Sequence, residues 1–180
     1  GAVSSLVSLE GALVGLGLVA AAEGFRRLTT SVVSAANSID KAAQTAGVST
    51  RQIQELRFAF GQLGDVTDTQ VDNALRRFSR RLGDARNDMG ALNGRLDDLN
   101  VTAGQKTPEA LESTLTRLSQ IRDDSERASL ASKAFGEEAG PALAGALSNG
   151  TKALREQREQ AQRLGHFLTE DGIRTAVRLQ

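Results

Sequence analysis

The chain has 180 residues, 22 of them basic and 22 acidic, so its formal net charge is zero. That balance argues against a protein built mainly to hold nucleic acid. The absence of cysteine excludes a disulfide framework and thiolate chemistry. With one histidine, His166, a zinc site would have to be almost all carboxylate.

Residues 11–22, "GALVGLGLVAAA", carry no charge. A membrane-spanning helix needs about 20 apolar residues, so this run does not span as it stands. It has the length of a signal-peptide core, but Glu10 precedes it and no Lys or Arg does, which is the wrong flank. It reads as a buried or oligomerising helix, with membrane contact as the alternative. Gly11 and Gly15 give a small-residue spacing that lets helices approach closely, and Leu16 and Leu18 supply the apolar surface beside them. The chain starts at Gly1 and stops at Gln180 within a helical run, and is expected to be a fragment cut at both ends.

No strand pattern is visible. Apolar residues recur at intervals of three and four, and glycines mark the breaks. The class expected is all-α: a long N-terminal helix, then short helices in hairpins, extended or oligomeric in place. Helices are predicted at 3–45, 50–62, 68–83, 84–100, 108–121, 124–135, 141–148, 151–164 and 169–179, with a break near Gly24 in the first. The division expected is an apolar and amphipathic helix over 1–45 and a helical module over 46–180.

Two helix starts resemble one another. In "GVSTRQIQEL", Ser49 is expected to cap, Gln52 to reach back to the cap, and Val48 to staple to Ile53. In "DVTDTQVDNA", Thr67, Gln70, Val66 and Val71 hold the same positions. Gly47 and Gly64 precede them, suited to ending a helix in the left-handed conformation.

Next in the chain comes "QVDNALRRFSRRLGDARND". Val71, Leu75, Phe78 and Leu82 form an apolar stripe. Arg76, Arg77, Arg80 and Arg81 lie off it in two rows spaced by four. Asp72 is placed to pair with Arg76, and Asp84 with Arg80. No aromatic is interleaved for base stacking. The better reading is therefore a protein-interaction face, solvated or turned to an acidic wall, with no specific nucleic acid.

Further on, Thr107 is expected to cap a helix with Pro108 first inside it, and Leu111, Leu115, Leu118 and Ile121 form its stripe. Asp123 is expected to cap the next helix and Gly136 to end it. Leu143 and Leu147 should face inward from a brief helix. Leu154, Ala161 and Leu164 make only a thin stripe on the helix after that, which is mostly polar.

The acidic pairs Asp97–Asp98, Asp123–Asp124 and Glu137–Glu138 are explained by solvated helix ends. No phosphate-binding loop or dinucleotide fingerprint is present. No enzyme, metal or cofactor is expected, and His166 reads as an exposed helix-end residue.

The order of these motifs is more specific than any one of them. From about residue 36 to residue 176, through "GVSTRQIQELRFAFGQLG", "VDNALRRFSRRLGDA", "TPEALESTLTRLSQIRDDSERASLASKAFGEEAGPALAGAL" and "ALREQREQAQRLG", the chain resembles tail tape measure proteins of long-tailed bacteriophages and prophages. Such proteins often carry a second Gly-Val-Ser turn before the arginine helix, where this chain has Gly64-Asp65-Val66-Thr67. They are also usually far longer. The resemblance implies a structural helical rod in the virion tail tube. It would set tail length, template tube assembly and leave as DNA is ejected. The partners it implies are tail tube and tail-tip proteins, further copies of the rod and, transiently, the host membrane. The alternative is a membrane-active helical module with residues 11–22 as its insertion element.

Overall fold

The computed structural model describes residues 22–164 and 168–178. Among them are eight α-helices and no strand, as the all-α expectation required. They are α1 (Ala22–Ala46), α2 (Thr50–Gly64), α3 (Asp68–Arg86), α4 (Thr107–Gln120), α5 (Asp124–Phe135), α6 (Gly140–Leu147), α7 (Gly150–Leu164) and α8 (Glu170–Arg178). The earlier part of the expected long first helix, 3–21, lies outside the described residues. The expected break near Gly24 is absent, since α1 runs through it.

The α1–α2 turn is built as its sequence suggests. Gly47 takes φ +67°, and the amides of Gly47 and Val48 donate back to Gln44 O and Ala43 O at 3.2 and 3.1 Å. This pair of reversed bonds satisfies carbonyls that the helix end leaves open. Ser49 Oγ then accepts from the Gln52 amide at 3.1 Å. The Gln52 side chain does not reach back to the cap; it donates to Glu112 on α4 at 2.7 Å. A long-range carboxylate outcompetes the local bond.

The next turn departs from expectation. The left-handed residue is Asp65 (φ 52°), not Gly64. Aspartate tolerates this region better than most residues because its short side chain bonds locally. Gly64 answers a different need: a Cβ there would lie 2.7 Å from Ala146 Cβ, so the glycine lets α2 and α6 touch. Beyond it, Thr67 and Gln70 form the full reciprocal box, with Gln70 N to Thr67 Oγ1 at 3.3 Å and Thr67 N to Gln70 Oε1 at 2.9 Å.

The predicted helix over 84–100 does not form. Residues to Arg86 complete α3, and the chain then runs as a loop with one 3-10 turn at Asp97–Leu99. Asp88, Gly90, Gly94 and Asn100 all take positive φ there, which no right-handed helix accommodates. Leu92, Leu99 and Val101 are buried, so the apolar spacing that mimicked a helix anchors a loop instead. At α4 the cap is Lys106 without a side-chain bond; Thr107 is already helical and Pro108 comes directly after it. Proline is tolerated there because the amides of the first turn have no intrahelical partner.

Asp123 caps α5 by accepting from the Glu126 amide at 2.7 Å, and Gly136 ends it at φ 98°. The stripe Leu111, Leu115, Leu118 and Ile121 is buried, as are Leu143 and Leu147. Leu164, by contrast, is exposed. One continuous core joins the helices, with Phe60, Phe78 and Phe135 fully enclosed. The rings of Phe78 and Phe135 lie 5.5 Å apart at 33°, fixing α3 against α5.

Candidate functional site

Burying Val71, Leu75, Phe78 and Leu82 turns the other side of α3 outward. Arg76, Arg77, Arg80 and Arg81 consequently line one open concavity of about 530 Å³. The two rows are not equivalent.

Arg77 and Arg81 are tied to the neighbouring end of α5. Arg77 Nη2 donates to Glu138 Oε2 at 3.0 Å. Its side chain crosses so close to Gly136 that a Cβ there would sit 2.6 Å from Nη1. Arg81 Nη1 donates to Ser132 O and Lys133 O at 2.6 and 2.7 Å. Both carbonyls lie in the electronegative last turn of α5; Ser132 O also accepts the Gly136 amide at 2.9 Å. Burial holds the Arg81 guanidinium below its ordinary pKa, and the nearby charges of Arg80 and Arg77 add to this against Glu137. A guanidinium remains charged throughout the physiological range.

Arg76 and Arg80 form the other row, and both are exposed. Arg76 donates to the neutral Asn73 at 3.0 Å. Arg80 makes no hydrogen bond or ion pair among the described residues. The local pairs expected from sequence are not made. Asp72 instead joins Arg57 on α2, with Nη2 to Oδ2 at 2.6 Å, and Asp84 does not pair with Arg80. Arg57 wins because it projects from a packed neighbouring helix and engages both carboxylate oxygens, the stronger two-point geometry.

A second ionic constellation had no signal in the sequence. Glu55 on α2 is 4% exposed yet charged in character. It accepts from Arg51 Nε at 2.9 Å, Arg158 Nε and Nη2 at 3.1 and 3.0 Å, and Gln162 Nε2 at 2.8 Å. Arg158 Nη1 also reaches Glu112 at 2.7 Å, so α2, α4 and α7 meet at one cation. Burial alone would raise the Glu55 pKa, but donation from Arg51, Arg158 and Gln162 outweighs it and holds the carboxyl below its ordinary value. For Arg158, burial is outweighed by Glu112 and Glu55, and its pKa is raised. Nearby, the Gln54 side chain makes both bonds of a backbone-like pair with Leu168, at 3.1 and 2.9 Å, and so pins the approach to α8.

These groups organise packing; they do not assemble a nucleophile with a base. Among the described residues no cluster of His, Asp and Glu could hold a metal ion. No helix among them is long and apolar enough to cross a membrane. His166, Gly11, Gly15, Leu16 and Leu18 lie outside the described residues. No family model, no curated protein and no solved structure matches the chain.

Proposed function

We propose that this chain is a segment of a phage or prophage tail tape measure protein. On this reading it is a non-enzymatic helical element of the virion, held in the tail tube lumen. It helps to set tail length, templates tube assembly and is released during DNA ejection. Its partners are tube and tail-tip proteins and further copies of itself. The observation that carries the reading is the order and spacing of helix motifs from residue 36 to residue 176. The all-helical architecture and the capped starts at Ser49, Thr67 and Asp123 are consistent with it.

The test is in-frame deletion of α2 through α5 from the full reading frame, with tail length measured by electron microscopy. Shorter tails are expected. A continuous helix would lose about 1.5 Å per deleted residue, and a folded bundle less. Tails of unchanged length would overturn the proposal.

A further inference from the structure

We propose that Arg76 and Arg80 form a docking pair for a carboxylate-rich segment of a partner polypeptide, seated in the concavity beside α3. The inference starts from the unequal commitments of the four arginines. Arg77 is matched by Glu138, and Arg81 is spent on the end of α5. Removing either takes a bond from the fold. Arg76 and Arg80 hold no acidic partner: Arg76 bonds only the neutral Asn73 on its own helix, and Arg80 bonds no described residue.

Their spacing suits the task. Residues four apart on one helix stand about 6 Å apart along its axis, on the same side. Each guanidinium presents a planar fork that matches a carboxylate in two-point geometry. Behind them, Arg81 adds a cation whose hydrogen bonds go to neutral carbonyls, so its charge is met by no carboxylate in direct contact. The concavity therefore carries local positive charge on a chain of zero net charge.

That combination selects an acidic protein segment over a nucleic acid strand. A strand held without sequence preference is gripped by a long basic groove and by aromatic stacking. Here the nearby aromatics, Phe78 and Phe135, are buried beneath the face. Glu138, exposed and paired with Arg77, repels a peptide or a nucleic acid polyanion alike, so the choice of a protein rests on the missing aromatic platform. The inference deepens the tail reading and rests on it only for placing that partner in the tail.

The experiment measures fluorescence anisotropy of a labelled oligo-glutamate peptide against the 180-residue chain. A single-stranded oligonucleotide of equal charge runs in parallel. With Arg76→Gln and Arg80→Gln together, peptide affinity is expected to fall about tenfold, the effect of two exposed ion pairs. The thermal midpoint should not move. Arg81→Gln should lower the midpoint, and this separates the clamp from the docking pair. Unchanged peptide affinity in the double variant would overturn the proposal. So would tighter binding of the oligonucleotide, or self-association of the chain that disappears in the double variant, which would make a second copy the occupant. None of these outcomes alters the tail-length measurement, so the two proposals fail separately.

Discussion

Arg158 on α7 reaches Glu55 on α2 through two nitrogens, Nε at 3.1 Å and Nη2 at 3.0 Å, across 103 positions of sequence. The contact explains how a mostly polar helix is held in the bundle. Only Leu154 and Ala161 of α7 are buried, too little apolar surface to fix it alone. A buried charge pair does not by itself guarantee stability, because both charges are desolvated. Breaking one side is a different matter.

Arg158→Ala is therefore expected to destabilise the fold by about 2–3 kcal/mol, because Glu55 is left buried with fewer donors. The figure lies at the low end for such a pair because Glu112 and Arg158 are partly exposed. Replacing Glu55 and Arg158 together by leucine should cost less than the sum of the single changes. Urea denaturation of the single and double variants measures both. Additive losses would show that the two residues act independently.

The same pair sets a pH dependence. The folded pKa of Glu55 lies below its ordinary value of 4.5, so its contribution is fully present above that value and is lost as pH falls through the folded pKa. Arg158 is shifted upward, so its contribution is fully present below its ordinary guanidinium value, far above the working range. Only the acid limb is thus observable. Stability should decline as pH drops below about 4.5, and Glu55→Gln should flatten that decline. An acid limb of the same slope in wild type and variant would contradict the assignment.

Local chemistry in the sequence marked most of the helix boundaries. Ser49, Thr67, Asp123, Gly47 and Gly136 act within a few residues of themselves, and all five do in the fold what their positions suggest. The apolar stripes were legible for the same reason. Partner choice was not, because it is decided by tertiary neighbours. Asp72 prefers Arg57 to Arg76, Gln52 prefers Glu112 to its own cap, and Glu55 finds Arg158 from the far end of the chain. The four arginines were identified from their periodicity, but their division into a clamped row and one without acidic partners depends on where α5 ends.

Two glycines with opposite expected behaviour test the α5–α6 packing. A Cβ on Gly140 would lie 2.5 Å from Ser132 Cα and 2.6 Å from its amide nitrogen, backbone atoms that cannot step aside. Gly140→Ala should destabilise by about 2–3 kcal/mol through overpacking. At Gly145, inside α6, a Cβ would meet nothing within 4 Å. Gly145→Ala should stabilise by about 0.5–1 kcal/mol, because alanine loses less backbone freedom in a helix. Thermal denaturation of the two variants side by side gives the comparison. Equal effects would mean that the helices are not in this close contact.

The segment between α3 and α4 makes the last prediction, since its sequence suggests a helix and its structure is an anchored loop. Leu92 and Leu99 are fully buried although neither lies in an α-helix. The loop is closed at its base by Arg86, which donates to Gln105 O, and braced within by Asn93 Nδ2 to Asp88 O at 2.7 Å. A loop that merely crossed the surface would tolerate truncation of either leucine. Here Leu92→Ala and Leu99→Ala should each cost about 2–4 kcal/mol, as core leucines do. Asn100→Gly should be tolerated, because Asn100 already sits at φ 54° where glycine is at ease, whereas Asn100→Val should destabilise. If the segment were helical instead, the order of the two Asn100 variants would reverse, because glycine is the poorer helix former.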